Sequence, residues 1–264
     1  MILSPPRETY RQSYTIRILL TLLAIGGAAT VYLIGAEEQS AAAPWIAAAI
    51  IAIDVILWVV IGKTLLTIHD EGVRRVSITG MKEIEWHNLK EYRYRVVNSN
   101  AAGVHAGLIG ILVMAAVNRT AGGRKATSNF YLQLVGQDGA SLWVTSSFKG
   151  AYDAIGTILG KVHDQFRARV ASEIAGAGAA FGPLRLSARE MQWKEKEPVP
   201  LSELAYAEIA GSTLQIKKSG KFLSVVSVRS DKVPNVLLLL EQMEKLGVGA
   251  RRANTVDPLA HVRS

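Results

Sequence analysis

The sequence predicts an α+β membrane protein: a two-helix transmembrane hairpin, then two antiparallel β units, each closed by a C-terminal helix. Three observations carry this reading. Two apolar arms, residues 18–36 and 45–62, lie close together and contain a single ionisable side chain, Asp54. From Leu65 onward, short runs of alternating apolar residues are separated by glycine-containing turns, the pattern of strands. Twice that pattern ends in a stretch of helical period, after Phe148 and after Val233.

At 264 residues the chain has room for the hairpin and one or two small domains. Thirty basic residues against 22 acidic ones give a formal charge of +8. Such a balance suits nucleic acid, an anionic membrane face or cytoplasmic topology, and with apolar arms present topology is the simplest explanation. No nucleic-acid partner is expected. The chain has no cysteine, which excludes a disulfide framework and a thiolate metal or redox site.

Residues 1–17 form a basic N-terminus, with Arg7, Arg11 and Arg17 against Glu8. Each arm (TM1, 18–36; TM2, 45–62) has about the length that a ~30 Å hydrocarbon core requires of a helix. The link Glu37-Glu38-Gln39-Ser40 is acidic, whereas Lys63, Arg74 and Arg75 follow the second arm. Basic flanks and an acidic link place both termini in the cytoplasm, in a multi-pass protein of the inner or plasma membrane. A signal peptide cut after Ala36 is the competing reading, but its apolar stretch is too long and a second one follows at once. Tyr32, Trp45 and Trp58 near the arm ends suit interfacial anchoring.

Asp54 lies mid-arm, where an unpaired carboxylate costs at least ~2.5 kcal/mol. Folding the arms about Ser40 sets it level with Gly26-Gly27 and within about a turn of Thr30, whose hydroxyl could satisfy it. An interhelical hydrogen bond, or a contact across a homo-oligomer, is favoured over an ion relay, because one acid makes no pathway.

Strands are expected at 66–68, 73–78, 82–86, 89–97, 129–136 and 140–145, with an Asp138-Gly139 hairpin turn before the last. In 89–97, Tyr92, Tyr94 and Val96 alternate with Arg93, Arg95 and Val97, giving one apolar and one wet face. An amphipathic helix starting near Phe148 closes this first unit, 65–172. Residues 173–182 read as a linker. A second unit, 183–248, repeats the pattern in shorter form with a closing helix at 233–246, and 249–264 reads as a disordered basic tail.

A third apolar run, 101–117, interrupts the first unit. A buried core helix or a third span are alternatives; a span would carry Arg119, Arg124 and Lys125 outside and split the unit. The preferred reading is a segment dipping into the bilayer interface through Leu108, Ile109, Ile111, Leu112 and Met114. Arg119, Arg124 and Lys125 would then meet lipid phosphates, at about 1 kcal/mol per basic group. Lys217, Lys218 and Lys221 form a basic hairpin, read as a solvated turn or an anionic-surface contact.

Catalytic chemistry has no visible carrier. His69, His87, His105, His163 and His261 are scattered without metal-ligand spacing, and His163-Asp164 reads as surface charge. The basic loop 121–127 lacks the spacing of a phosphate-cradling loop. No catalytic, metal or cofactor-binding residue is assigned, and the protein is not expected to be an enzyme.

Strands closed by one amphipathic helix resemble, in order, a pleckstrin-homology (PH) barrel. Phe181-Gly182-Pro183-Leu184, Val199 to Leu204, Gly211 to Lys217, Gly220-Lys221-Phe222 and Val233-Pro234-Asn235 extend the likeness. Together they resemble bacterial membrane-anchored proteins of unknown function with tandem PH-like domains. The resemblance implies two PH-like antiparallel β-barrel units over about 65–248 and a membrane-tethered cytoplasmic location, with no family-wide activity. PH domains place Lys and Arg around the first hairpin; here Asp70-Glu71-Gly72 is acidic, so specific inositide recognition is not expected. The expected function is a cytoplasmic interaction or scaffold module for a protein partner or a second copy. The alternatives are a sensor of the inner leaflet acting through 101–117, and a transporter or channel subunit using Asp54.

Overall fold

The computed structural model describes residues 4–12, 14–78, 80–97, 129–221 and 223–251. The chain is mixed α+β and divides into two compact units, Met1–Glu83 with Ser147–Ala151, and Ile84–Ser146 with Tyr152–Ser264.

In the first unit, Glu8–Arg11 forms a strand, β1, where sequence reading gave only a basic leader. Two helices follow, α1 (Tyr14–Glu37) and α2 (Ala43–Gly62), then β2 (Leu65–Ile68), β3 (Gly72–Ser77) and β4 (Gly80–Glu85). The sheet order is β1-β2-β3-β4. Glu8 pairs with Ile68 and Arg11 with Leu65, so the helical pair is an insertion in the connection between two adjacent antiparallel strands. The strand was hidden because it has no apolar run of its own. It is held by the β2 ladder, by the Arg7–Asp70 ion pair at 2.6 Å, and by Lys149 N–H donating to the Arg11 carbonyl at 2.8 Å. Leu66, Ile68 and Val73 are its buried core.

Within the pair, Leu20–Glu37 is long and apolar enough to cross a membrane, with mean hydropathy 1.6; in α2 the apolar stretch Ala43–Ile56 is shorter. Ile18, Leu22, Leu33, Ile53, Val55 and Ile56 are all more than half exposed. The helices meet at small residues. Ala28 and Ala43 are buried, and a Cβ on Gly35 would fall 1.9 Å from that of Ala43. Gly26 and Gly27, expected at the close approach, face open space.

The second unit begins with a 3-10 turn, Trp86–Asn88, and the sheet β5 (Leu89–Val97), β6 (Asn129–Gly136) and β7 (Ser141–Thr145). The long helix α3 (Ala151–Ala175) follows. Next come β8 (Ala179–Phe181), β9 (Leu184–Leu186), β10 (Glu190–Trp193) and β11 (Val199–Pro200), in one sheet. After the 3-10 turn Leu201–Glu203 come β12 (Leu204–Ala210), β13 (Thr213–Lys218) and β14 (Ser224–Arg229), then a 3-10 turn Ser230–Lys232 and α4 (Val236–Lys245). A last strand, β15 (Gly249–Arg251), lies parallel to β12, Tyr206 beside Gly249. The start of the expected disordered tail is thus a strand, satisfied by a sheet edge, and part of the expected linker is β8, paired with β9.

The element order repeats: four strands in one sheet, a 3-10 turn, three strands in another, then a helix. The repeat corrects two expectations. The sheets are separate, and no closed barrel is found among the described residues. The acidic turn Asp70-Glu71-Gly72 joins the second and third strands of its sheet, not the first pair. In the second copy the first pair is joined by Gly182-Pro183 alone, with Gly182 at φ +64°. The helical pair occupies that same joint in the first copy.

Candidate functional site

Three polar clusters stand out, and they differ in what they can do. Between the helices, Thr21 Oγ1 donates to Asp54 Oδ2 at 2.9 Å and accepts from the indole Nε1 of Trp58. Asp54 is therefore joined across the helices, but not by Thr30, whose hydroxyl donates at 2.9 Å to the Gly26 carbonyl of its own helix. The error is one of register. Because α1 continues through Glu37, pairing is centred before Ser40 and brings Thr21 opposite Asp54. The three side chains form a hydrogen-bonded chain across the helices, as in a structural clasp.

The second cluster is buried where β5, α3 and α4 meet. Tyr92 and Asn235 are joined twice: Asn235 N–H donates to the Tyr92 carbonyl at 2.8 Å, and Tyr92 N–H donates to Asn235 Oδ1 at 2.9 Å. Asn235 adopts φ +53°, a left-handed conformation that Asn tolerates better than most residues. Leu238 N–H donates to the Tyr92 hydroxyl at 3.1 Å, and that hydroxyl lies 2.8 Å from His163 Nε2. In the tautomer with its proton on Nδ1, His163 accepts from the Tyr92 hydroxyl at Nε2 and turns its N–H toward Glu241.

Nδ1 faces Glu241 Oε2 at 3.3 Å, an ion-pair distance without hydrogen-bond alignment. Arg167 Nε at 2.8 Å and Lys245 Nζ at 2.9 Å are the firmer partners of Glu241. His163 first, then Arg167 and Lys245, outweigh burial and hold the Glu241 carboxyl well below the usual carboxylate range. His163 is 1% exposed, so the expectation of a surface charge is corrected. Its spacing, with Leu159, Val162 and Phe166 on the buried side of α3, was the available signal. His163 and Glu241 are both buried, and the cluster reads as a fastening between elements.

The third cluster is open. Alternation in β5, β6 and β7 buries Tyr92, Tyr94, Val96, Phe130, Leu132, Leu134, Leu142 and Val144. The opposite face carries Arg93 beside Gln133 beside Trp143, and Arg95 beside Tyr131. The 3-10 turn Ser230–Lys232 packs against β5. Together these elements line a cavity of about 390 Å³ with Arg93, Arg95, Tyr131, Gln133, Trp143, Arg229, Asp231 and Lys232. Four cations thus face one carboxylate.

Some of that charge is already engaged. Arg93 bonds Glu91 at 2.8 Å, and Arg229 Nε bonds Asp231 Oδ1 at 3.0 Å. Burial raises the Asp231 pKa, but the Arg229 bond and the charges of Arg229 and Arg95 outweigh it and hold Asp231 below its ordinary value. Arg95 Nε is buried without a hydrogen-bond partner among the described residues. Tyr131 and Trp143 are 40% and 41% exposed. The volume falls within the range of small-ligand sites. Sequence reading saw the wet face of β5 but did not join its arginines to Tyr131, Trp143 and the 229–232 corner, which no local pattern connects.

The other expected site residues are dispersed. Lys217 lies over the Tyr206 ring at 5.7 Å, Lys218 pairs with Glu203, and Lys221 is exposed. Leu108, Ile109, Ile111, Leu112, Met114, Arg119, Arg124 and Lys125 lie outside the described residues. No group of three or more His, Asp or Glu able to hold a metal ion occurs among the described residues.

No curated protein matches the chain. A family model does match, over residues 2–252, nearly the whole length. The chain belongs to that family, a family of unknown function (DUF6585).

Proposed function

We propose that this protein is a membrane-anchored, non-enzymatic binding module. In this reading α1 and α2 anchor two PH-like repeats at the cytoplasmic face, and the cleft on β5–β7 takes an anionic group of a ligand or partner. The observation that carries it is the cleft, where an exposed aromatic pair shares one cavity with four cations. The anchoring half is supported by the exposed apolar surface of the pair, of the kind that marks contact with a membrane or a partner. It is supported also by the tie of both helix ends to one sheet, which keeps them on one side. The PH-like assignment rests on the repeated strand and helix order. The Thr21–Asp54 hydrogen bond across the helices favours anchor over ion path.

The natural absence of cysteine makes the test clean. Ser40→Cys and Ser187→Cys are introduced singly and labelled in intact cells with a membrane-impermeant maleimide. Ser40→Cys is expected to label without permeabilisation and Ser187→Cys only after it. Labelling of both in intact cells, or recovery of the protein in the soluble fraction, would overturn the reading.

A further inference from the structure

Resting on the proposal that the β5–β7 cleft is the binding face, we propose that its ligand is a nucleoside monophosphate-sized anion: a phosphate joined to a flat ring. Three features select this chemistry. Arg95 lines the cavity, its Nε has no hydrogen-bond partner among the described residues, and a guanidinium not committed elsewhere is the group that pairs with a phosphate. Arg229 and Lys232 stand at the same corner and are exposed. Two rings lie on the same face: Tyr131 is the cross-strand partner of Arg95, and Trp143 stands two strands from Arg93 in the row Arg93–Gln133–Trp143. Bases stack on such rings without needing base-edge donors, whereas a ring-free headgroup leaves them wet. A cavity of about 390 Å³ suits one ring, one sugar and one phosphate better than a polymer.

The position also differs from the one PH-like folds offer at their first hairpin, which here is filled by the helical insertion. An acidic peptide would be the macromolecular competitor. Its carboxylates match the cations, but an extended strand needs a free sheet edge rather than a sheet face.

The test is calorimetric titration of the full chain in uncharged detergent with AMP, adenosine, inorganic phosphate, glycerol 3-phosphate and a polyglutamate peptide. AMP is expected to bind, at least tenfold more tightly than phosphate or glycerol 3-phosphate, with adenosine silent and affinity falling as salt rises. Arg95→Gln and Trp143→Ala are each expected to weaken AMP about tenfold or more, about 1.4 kcal/mol; Lys221→Gln, in a separate turn, leaves it unchanged. Circular dichroism of each variant separates lost binding from lost fold. If phosphate and AMP bind equally and Arg95→Gln abolishes both, the cleft is an anion site but the ring is not recognised, and this inference fails alone. Equal binding of glycerol 3-phosphate would assign a lipid headgroup, and Arg95-dependent binding of polyglutamate alone would assign an acidic peptide; either overturns it. If none of the five binds, both this inference and the cleft as binding face fail.

Discussion

Arg11 and Leu65 are register partners in adjacent strands although the whole helical pair lies between them. In the second repeat the equivalent partners, Phe181 and Leu184, are joined by Gly182-Pro183. The pair is therefore separable from the fold that carries it. Replacing residues 12–64 by a two-residue Asn-Gly turn is expected to give a water-soluble, monodisperse protein with its strand signal intact. Chromatography and far-ultraviolet circular dichroism check this; an aggregated product would show that β1 and β2 need the helices.

Thr21 bridges Trp58 and Asp54, so Thr21→Val removes both of these hydrogen bonds at once. It is expected to cost about 1 kcal/mol, within the range of interhelical hydrogen bonds in membranes. Thr30→Val, which removes only a bond within α1, is expected to be near neutral. Thermal unfolding of the two variants in detergent makes the comparison, and equal effects would contradict the clasp.

Gly35 sits where a side chain would strike Ala43. Gly35→Val is expected to lower stability by ~1–3 kcal/mol through overpacking at the hairpin turn. Gly26→Ala, facing open space, is expected to be neutral or slightly stabilising through helix propensity. Chemical denaturation of both variants decides the order.

Glu241 links the pH dependence of stability to the α3–α4 fastening. Its folded pKa lies below the unfolded value, so its contribution is fully present above the ordinary carboxylate range. That contribution is lost as pH falls from there toward the folded value. Glu241→Gln is expected to destabilise at neutral pH by ~1–3 kcal/mol, the lower part reflecting the half-exposed Arg167. The loss between wild type and variant should shrink as the pH is lowered below about 4. Melting curves across pH check the sign; a gap widening toward acid would refute it.

Most strands from Leu65 to Lys218 were legible because alternation and turn glycines are local signals; Leu89–Val97 and Asn129–Gly136 match to the residue, whereas Ala179–Phe181 read as linker. The two long helices were legible by length and hydropathy. What escaped was every element whose stability comes from elsewhere in the chain. Glu8–Arg11 and Gly249–Arg251 are strands only because β2 and β12 offer them an edge. Asn235 seats itself on Tyr92 across 143 residues, and nothing near either one announces it. The cleft was half legible: the arginines of β5 were visible, and the rings they share it with lie on two other strands.

The placement of β1 sets an order of events during synthesis. Glu8–Arg11 leaves the ribosome before both helices, but its partner Leu65–Ile68 emerges only after them. In the anchored reading proposed above, the first strand waits, unpaired, until the hairpin has formed and returned the chain to its starting side. In that reading, sheet closure follows only when both helices have gone in and come back. A chain whose second helix failed to return would leave β2 beyond reach of β1, exposing an open edge of the kind that quality-control proteases and chaperones recognise.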